Sequence, residues 1–261
     1  MEFFASHDWL NRPGPTYAFK LDHLLFILIA MLIGVALCFI LRGKDKKIIK
    51  ATVISLWGIA VVSEILYYVV TIILCVTDPE NHHFSIDGSL PLHSCSMFLY
   101  IFPVAIFSKN RIIKTATMNF LVVINMIIGF ITLFVGCPPG GYSALSFPGV
   151  HTLLWHSIIV IVPLIMVVTN YYDIQIQDLK YGLALFGILS IIMWTFDAIA
   201  HCDYFYFYDG HTFPVFKQIS ENVPHIVWTL IVVSSYVITG AAIHFLIIGI
   251  KYLINKRKAK Q

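Results

Sequence analysis

Long apolar segments separated by short polar loops dominate the chain from residue 22 onward. Most of them approach or exceed the roughly 20 residues that an α-helix needs to cross the hydrocarbon core of a bilayer. The pattern therefore predicts an all-α polytopic membrane protein, a bundle of about seven transmembrane helices whose third member is the shortest. The predicted spans are 22–41, 50–76, 90–107, 113–135, 149–170, 179–201 and 223–250.

The two ends of the chain differ from the spans. Residues 1–21 mix aromatic and polar positions, which favours a short interfacial segment. They lack a basic stretch followed by an apolar run, so we expect no cleavable signal peptide. Residues 251–261 form a basic tail. We expect one transmembrane domain over residues 1–261, with the helix bundle at 22–250.

Lysine and arginine divide unevenly between the two sets of loops that seven spans create. Fourteen of the 17 lie in the set formed by 42–50, 109–114, Lys180 and 251–261, and the other three are Arg12, Lys20 and Lys217. Cytoplasmic loops are the ones enriched in basic residues. The split predicts an outer N-terminus and a cytoplasmic C-terminus in the cell membrane. No compact basic and aromatic patch points to nucleic acid.

Polar residues gather at the start of the predicted third span, where Pro91 suits a first helical turn. His93, Ser94, Cys95 and Ser96 follow it directly. A thiol with an imidazole to activate it is a candidate nucleophile, although cysteine is also a common packing residue. His93 is poorly placed to help, because residues two apart on a helix do not share a face.

His156 in the fifth span is the candidate base for Cys95. A rise of 1.5 Å per residue puts Cys95 roughly 7 Å past Leu90 and His156 roughly 10 Å past Gly149. Both spans enter from the predicted outer side, so the two side chains are expected at similar depth and can meet across a helix contact. The alternative is that His156 bonds a neighbouring carbonyl as a link between helices.

Two carboxylates lie inside apolar segments, where they are expensive and often functional. Asp197 precedes His201 by four residues, which puts both on one helical face and allows the acid to orient the imidazole. A self-contained pair near the interface is the alternative. We expect Glu64 to be a structural acid paired with another helix, and Asn125 to link helices.

The segment 202–222 carries five consecutive aromatic residues at 204–208. Aromatic side chains at this level are typical of an interfacial belt, and a belt is our expectation here. The lining of a lipid entrance is the alternative.

The motif Leu92-His93-Ser94-Cys95, together with Trp155-His156 before a run ending at Pro163, resembles the YwaF-type bacterial integral membrane proteins. More distantly, the chain is similar to the transmembrane-protein-164 acyltransferases of animals. The resemblance extends from residue 22 to about 230. The stretch Asp203-Tyr204-Phe205-Tyr206 resembles an Asn-Tyr-x-Tyr pattern of YwaF-type relatives, with Asp where Asn is usual.

The resemblance implies an enzyme of six or seven helices that moves an acyl chain from a phospholipid to a lysolipid acceptor or to water. Cys95 matches the nucleophile that forms the thioester, and His156 matches its base. His93, Ser94 and Ser96 are candidate oxyanion donors, and Asp197, His201, Asp203 and Tyr204 are candidate supporting residues. No metal or other cofactor is implied. Oligomeric state and lipid head group stay open.

Two other functions compete with acyl transfer. A zinc-dependent seven-helix lipid hydrolase could draw ligands from His93, His151, His201, His225 and Asp197, although no His-x-x-x-His pair lies on a helix. A small-molecule transporter or binding protein could use Glu64, Asn125 and Asp197 along its path, although the sequence has no inverted repeat.

Overall fold

The computed structural model describes residues 19–80, 84, 86, 90–135, 144–208 and 214–259. The predicted interfacial segment at 1–18 and Cys137 lie outside these residues. Within them the chain is helical, with the elements α1 (Leu21–Leu41), α2 (Lys46–Thr77), α3 (Met97–Phe107), α4 (Arg111–Phe120), a π-helical turn (Leu121–Asn125), α5 (Met126–Val135), α6 (Phe147–Val168), α7 (Asp178–Ala200), α8 (Pro214–Ser220) and α9 (His225–Lys258).

The prediction of about seven apolar helices is confirmed for the described part of the chain. Six helical stretches there are long and apolar enough to cross a membrane, counting 111–134 as one, and Met97–Phe107 is a shorter apolar helix. The fold is therefore that of an integral membrane protein. Eleven residues rise only about 16 Å, which is roughly half of the hydrocarbon thickness.

Local side-chain chemistry explains where several helices begin. Asp45 accepts a hydrogen bond from the backbone N–H of Lys47 at 2.7 Å, and Asn110 caps α4 by accepting from Ile112 and Ile113. Ser146 accepts from Gly149 at the start of α6. Each cap satisfies backbone donors that lack a partner inside the first helical turn.

Two central segments form the inner layer of the bundle. In both the 111–134 stretch and α6, 67% of the most apolar window is buried, against 28% or less in the other four spans. Helix α6 packs against α1, α2 and α5, while α4 packs against α3 and α7. The outer helices therefore face lipid, and polar groups on the inner pair must find partners inside the protein.

The aromatic segment that follows α7 enters the core, so the expectation of an interfacial belt is wrong. Tyr204 and Phe205 are fully buried and Phe207 is almost so. The chain turns inward after Ala200 because His201 adopts a left-handed conformation with φ of 54°. Trp228 of α9 then donates to the carbonyl of Tyr206 at 2.9 Å and holds the segment in place.

Candidate functional site

The Cys95 motif lies in a series of turns and not in a helix, which corrects the prediction that the third span begins at residue 90. Residues 90–96 form bends and turns, and the first residue of α3 is Met97. His93 and Cys95 are therefore not on one helix, and helical spacing sets neither their relative directions nor the depth of Cys95 below Leu90. We call residues 90–96 the Cys95 turn.

Asn125 holds this turn from the centre of the bundle. Its side chain is fully buried, and Nδ2 donates to the carbonyls of Ser94 at 2.9 Å and Cys95 at 3.4 Å. It ends the π-helical turn, a rare interruption that is frequent at functional sites because the extra residue redirects side chains. Asn125 was expected to link two helices, but its partner is the backbone of a turn, the one that carries the candidate nucleophile.

The segment after α7 supplies the second support. His93 Nδ1 donates to the carbonyl of Tyr204 at 3.2 Å, and the two rings pack edge to face at 4.8 Å. The Tyr204 hydroxyl accepts from the N–H of Leu90 at 3.2 Å and donates to the carbonyl of Ile86. His93 and Tyr204, two predicted supporting residues more than one hundred positions apart, are therefore in direct contact.

The predicted pair of Asp197 and His201 does not form, and this prediction is wrong. His201 caps α7 in the left-handed conformation and is exposed, whereas Asp197 is 1% exposed. Asp197 Oδ2 accepts from the N–H of Tyr204 at 3.2 Å. Asp203 similarly accepts from the N–H of Tyr208 at 2.9 Å. Both carboxylates thus brace the segment that supports His93.

The serine residues of the Cys95 turn have different surroundings. Ser94 and Tyr236 of α9 share a hydrogen bond at 3.2 Å between their hydroxyls. Ser96 is buried beside the Cys95 thiol. Burial raises the pKa of Cys95 to about 11, and the Ser96 hydroxyl acts in the opposite direction. Cys95 is a free thiol that carries its proton near neutral pH.

His156 is buried and has one nitrogen available. Nδ1 donates to the carbonyl of Thr152, one turn earlier in α6, at 2.7 Å. A carbonyl only accepts, so the proton is on Nδ1 and Nε2 presents a lone pair. Nε2 has no hydrogen-bond partner among the described residues, so it does not bond the Cys95 sulfur in this structure.

The residues of the zinc hypothesis are dispersed. His93 contacts Tyr204, His225 stacks on Tyr208 at 4.5 Å between ring centroids, and His201 is exposed. His151 contacts Glu64 of α2 at 3.3 Å, which confirms that Glu64 pairs with another helix. Across the described residues, no three His, Cys, Asp or Glu side chains are grouped closely enough to hold one metal ion.

The comparison with family models gives a match over most of the chain. The model of the TMEM164 family matches residues 18–248. This chain belongs to the TMEM164 family. The matched region contains Cys95, Asn125, His156, Asp197, Tyr204 and Tyr236. The chain matches no curated protein and no solved structure.

Two supports of this TMEM164-family site, Asn125 and Tyr236, have partners that the sequence alone does not indicate. Tyr236 is one of many apolar or aromatic residues in the last span, and no local pattern distinguishes it. Asn125 stands out as a polar residue in an apolar run, but its partner Ser94 lies 31 residues away, on a turn that the pattern predicts as helix. Tyr236 and Asn125 contact the Cys95 turn only because α9 and the π-helical turn pack against it in the folded protein.

Proposed function

We propose that this TMEM164-family protein is a membrane-embedded thiol acyltransferase or phospholipase. It acts on phospholipid acyl chains through a thioester on Cys95, with His156 as the base. The observation that carries the proposal is the state of His156, a neutral imidazole in one tautomer with a bare, buried Nε2. The Cys95 turn carries the cysteine of the Leu-His-Ser-Cys motif on which the resemblance rests. Its position is supported by Asn125, Tyr204 and Tyr236.

The state of the thiol determines how the reaction begins. Because burial raises the pKa of Cys95 to about 11, the thiolate must form as the sulfur attacks the ester. His156 Nε2 takes the thiol proton and passes it to the departing glycerol oxygen, which leaves a lysophospholipid and an acyl thioester. In this structure Nε2 makes no hydrogen bond to Sγ, so the proposed proton transfer requires the two side chains to approach each other.

The second half of the reaction returns the enzyme to its starting state. A lipid hydroxyl or water gives its proton to His156 and attacks the thioester carbon, and the Cys95 sulfur leaves and is reprotonated. The developing oxyanion needs a donor. In this structure His93 Nδ1 and the Ser94 hydroxyl have protein partners, so we assign Ser96, beside the thiol, to this role.

The test is an acyl adduct on Cys95. The full chain in phosphatidylcholine vesicles is incubated with a phospholipid that carries a labelled acyl chain, and the quenched protein is analysed by mass spectrometry. The expected result is an adduct of one acyl chain on Cys95, absent in Cys95→Ala. Lysolipid should appear with the wild type, and His156→Ala should release it at least about 100-fold more slowly.

Cys38→Ala provides the matched control, because Cys38 is a free buried thiol in α1. It should leave both the adduct and lysolipid release unchanged. Acyl release that persists in Cys95→Ala would reject the thioester.

A further inference from the structure

A second group of polar side chains lies between α2 and α6. Ser63 and Glu64 are consecutive in α2, and His151 lies in the first turns of α6. The hydroxyl of Ser63 is 2.9 Å from His151 Nδ1, and Glu64 Oε2 is 3.3 Å from His151 Nε2. The imidazole of His151 therefore contacts the Ser63 hydroxyl through Nδ1 and the Glu64 carboxylate through Nε2.

The proton positions follow from the chemistry of these groups. A carboxylate only accepts hydrogen bonds, so His151 Nε2 carries the proton and donates it toward Glu64. In the neutral imidazole Nδ1 is then the acceptor, and the Ser63 hydroxyl donates to it. This is the order of hydroxyl, base and acid in a serine-hydrolase triad, with the two ring nitrogens exchanged.

The imidazole of His151 is held in a fixed orientation. The ring of Tyr67 stacks on it with centroids 4.5 Å apart and planes at 13°, and Trp155 lies at 6.3 Å. The side chains of His151 and Glu64 are only 10% and 14% exposed. A rigid and largely dehydrated imidazole loses little freedom when it takes a proton from its neighbour.

Ser63 borders the surface that faces lipid. It is half-buried, while its helix neighbours Val62 and Leu66 are 57% and 51% exposed. An ester that diffuses within the bilayer can reach this hydroxyl from the side of the bundle. The group thus combines an activated oxygen with access for a membrane lipid.

This group lies at the same end of the bundle as the Cys95 turn. Trp57 of α2 donates to the carbonyl of Leu99 in α3 at 3.3 Å. Ser63 is six residues, or roughly 9 Å, further along α2 toward the level of the Cys95 turn. Glu64 is close enough to act electrostatically on Cys95 and on Tyr100. The two candidate nucleophiles, Ser63 and Cys95, therefore lie toward the same end of the bundle, one on α2 and the other on the Cys95 turn.

We propose that Ser63, His151 and Glu64 form a second acyl-handling site, in which Ser63 is a nucleophile toward carboxylic esters of membrane lipids. His151 Nδ1 takes the Ser63 proton as Oγ attacks the ester carbon, and gives it to the departing glycerol oxygen. The acyl chain is then an oxyester on Ser63. Water or a lipid hydroxyl then gives a proton to His151 and attacks that ester, and His151 passes the proton to the departing Ser63 oxygen.

A fluorophosphonate probe tests this site, because it phosphonylates serines that a base activates. The full chain in phosphatidylcholine vesicles is treated with the probe and mapped by mass spectrometry. The expected result is modification of Ser63 in the wild type, none in Ser63→Ala, and a rate about 100-fold lower in His151→Gln. Glu64→Gln should also slow it, and Glu64→Asp should recover part of the rate.

Three comparisons separate activation from a structural role. Ser55→Ala, which removes an exposed hydroxyl from the same helix, should leave labelling unchanged. Cys95→Ala should also label normally, so the result is independent of the proposed thioester. Thermal melting identifies any variant that fails to fold. Absence of Ser63 modification in the wild type, or a rate in folded Glu64→Gln equal to the wild type, would overturn the proposal.

Discussion

At the scale of single residues, the site depends on how each polar group is satisfied inside a bundle that offers little water. Nδ1 of His156 donates a hydrogen bond to a carbonyl of its own helix, which leaves Nε2 without a partner in the core. Asp197 is satisfied by the backbone of Tyr204. A buried polar group without such a partner costs about 1–3 kcal/mol. Among the described residues, Nε2 of His156, Nε2 of His244 and Oγ of Ser190 are all buried without such a partner. The His156 nitrogen is the one that takes part in the proposed reaction.

The raised pKa of Cys95 predicts its reactivity toward iodoacetamide. Burial favours the neutral thiol, so the thiolate fraction keeps growing until the pH approaches about 11. The alkylation rate of Cys95 should therefore continue to rise beyond pH 9, where an ordinary thiol is about half ionised. Mass spectrometry of the alkylated peptide at pH 7 to 11 measures it. A rate that levels off below pH 8 would mean a stabilised thiolate and would contradict the pKa direction.

At the scale of helices, close approach depends on glycine where α4 meets α7. A Cβ at Gly182 would lie 2.2 Å from Oδ1 of Asn119 and 2.9 Å from its Cγ. Asn119 is fully buried and donates to His244 Nδ1 at 3.0 Å, so it has little room to move. The sequence of α7 contains this glycine, but only the packing of α4 against α7 explains why a larger residue does not fit there.

Gly182→Ala should lower the stability of the bundle, because Asn119 must shift and part from His244. We expect a loss of about 1–3 kcal/mol, typical of overpacking, measured as a lower melting temperature in detergent. Gly187→Ala is the matched control on the same helix, since a Cβ there meets nothing within 4 Å. It should be neutral or slightly stabilising. Equal melting temperatures for the two variants would contradict the packing argument.

At the scale of the whole molecule, orientation decides which leaflet supplies the substrate. The basic residues lie mainly in the loops that follow α1 and α3, at the start of α7 and at the end of α9. The Cys95 turn is at the opposite ends of the helices. With the positive-inside rule, we predict that the proposed site faces the outer leaflet of the cell membrane.

Labelling of single cysteines in intact cells tests this orientation. In a variant whose native cysteines are replaced, a cysteine at Asp78 should react with an impermeant maleimide, and one at Lys44 should react only after the membrane is opened. Both positions are outside the helical spans. Labelling of the Lys44 position alone in intact cells would invert the topology and move the site to the cytoplasmic leaflet.

The sequence by itself determined the number and approximate limits of the membrane helices, because the length of an apolar run against the bilayer thickness is a local property. It also pointed to Cys95 and His156. The tertiary structure decided that residues 90–96 leave the helix. Asn125 bonds the carbonyls of Ser94 and Cys95, which a helix would otherwise bond, and Tyr204 and Tyr236 hold neighbouring groups of the turn.

The tertiary structure also decided which partner each buried acid takes. Helical spacing favoured His201 for Asp197, but the left-handed turn at His201 carries that ring outward and brings the N–H of Tyr204 to the carboxylate. Ser63 and His151 are 88 residues apart, so no local pattern relates them. Such contacts depend on how helices pack, and the energy of packing is spread over positions that are distant in sequence.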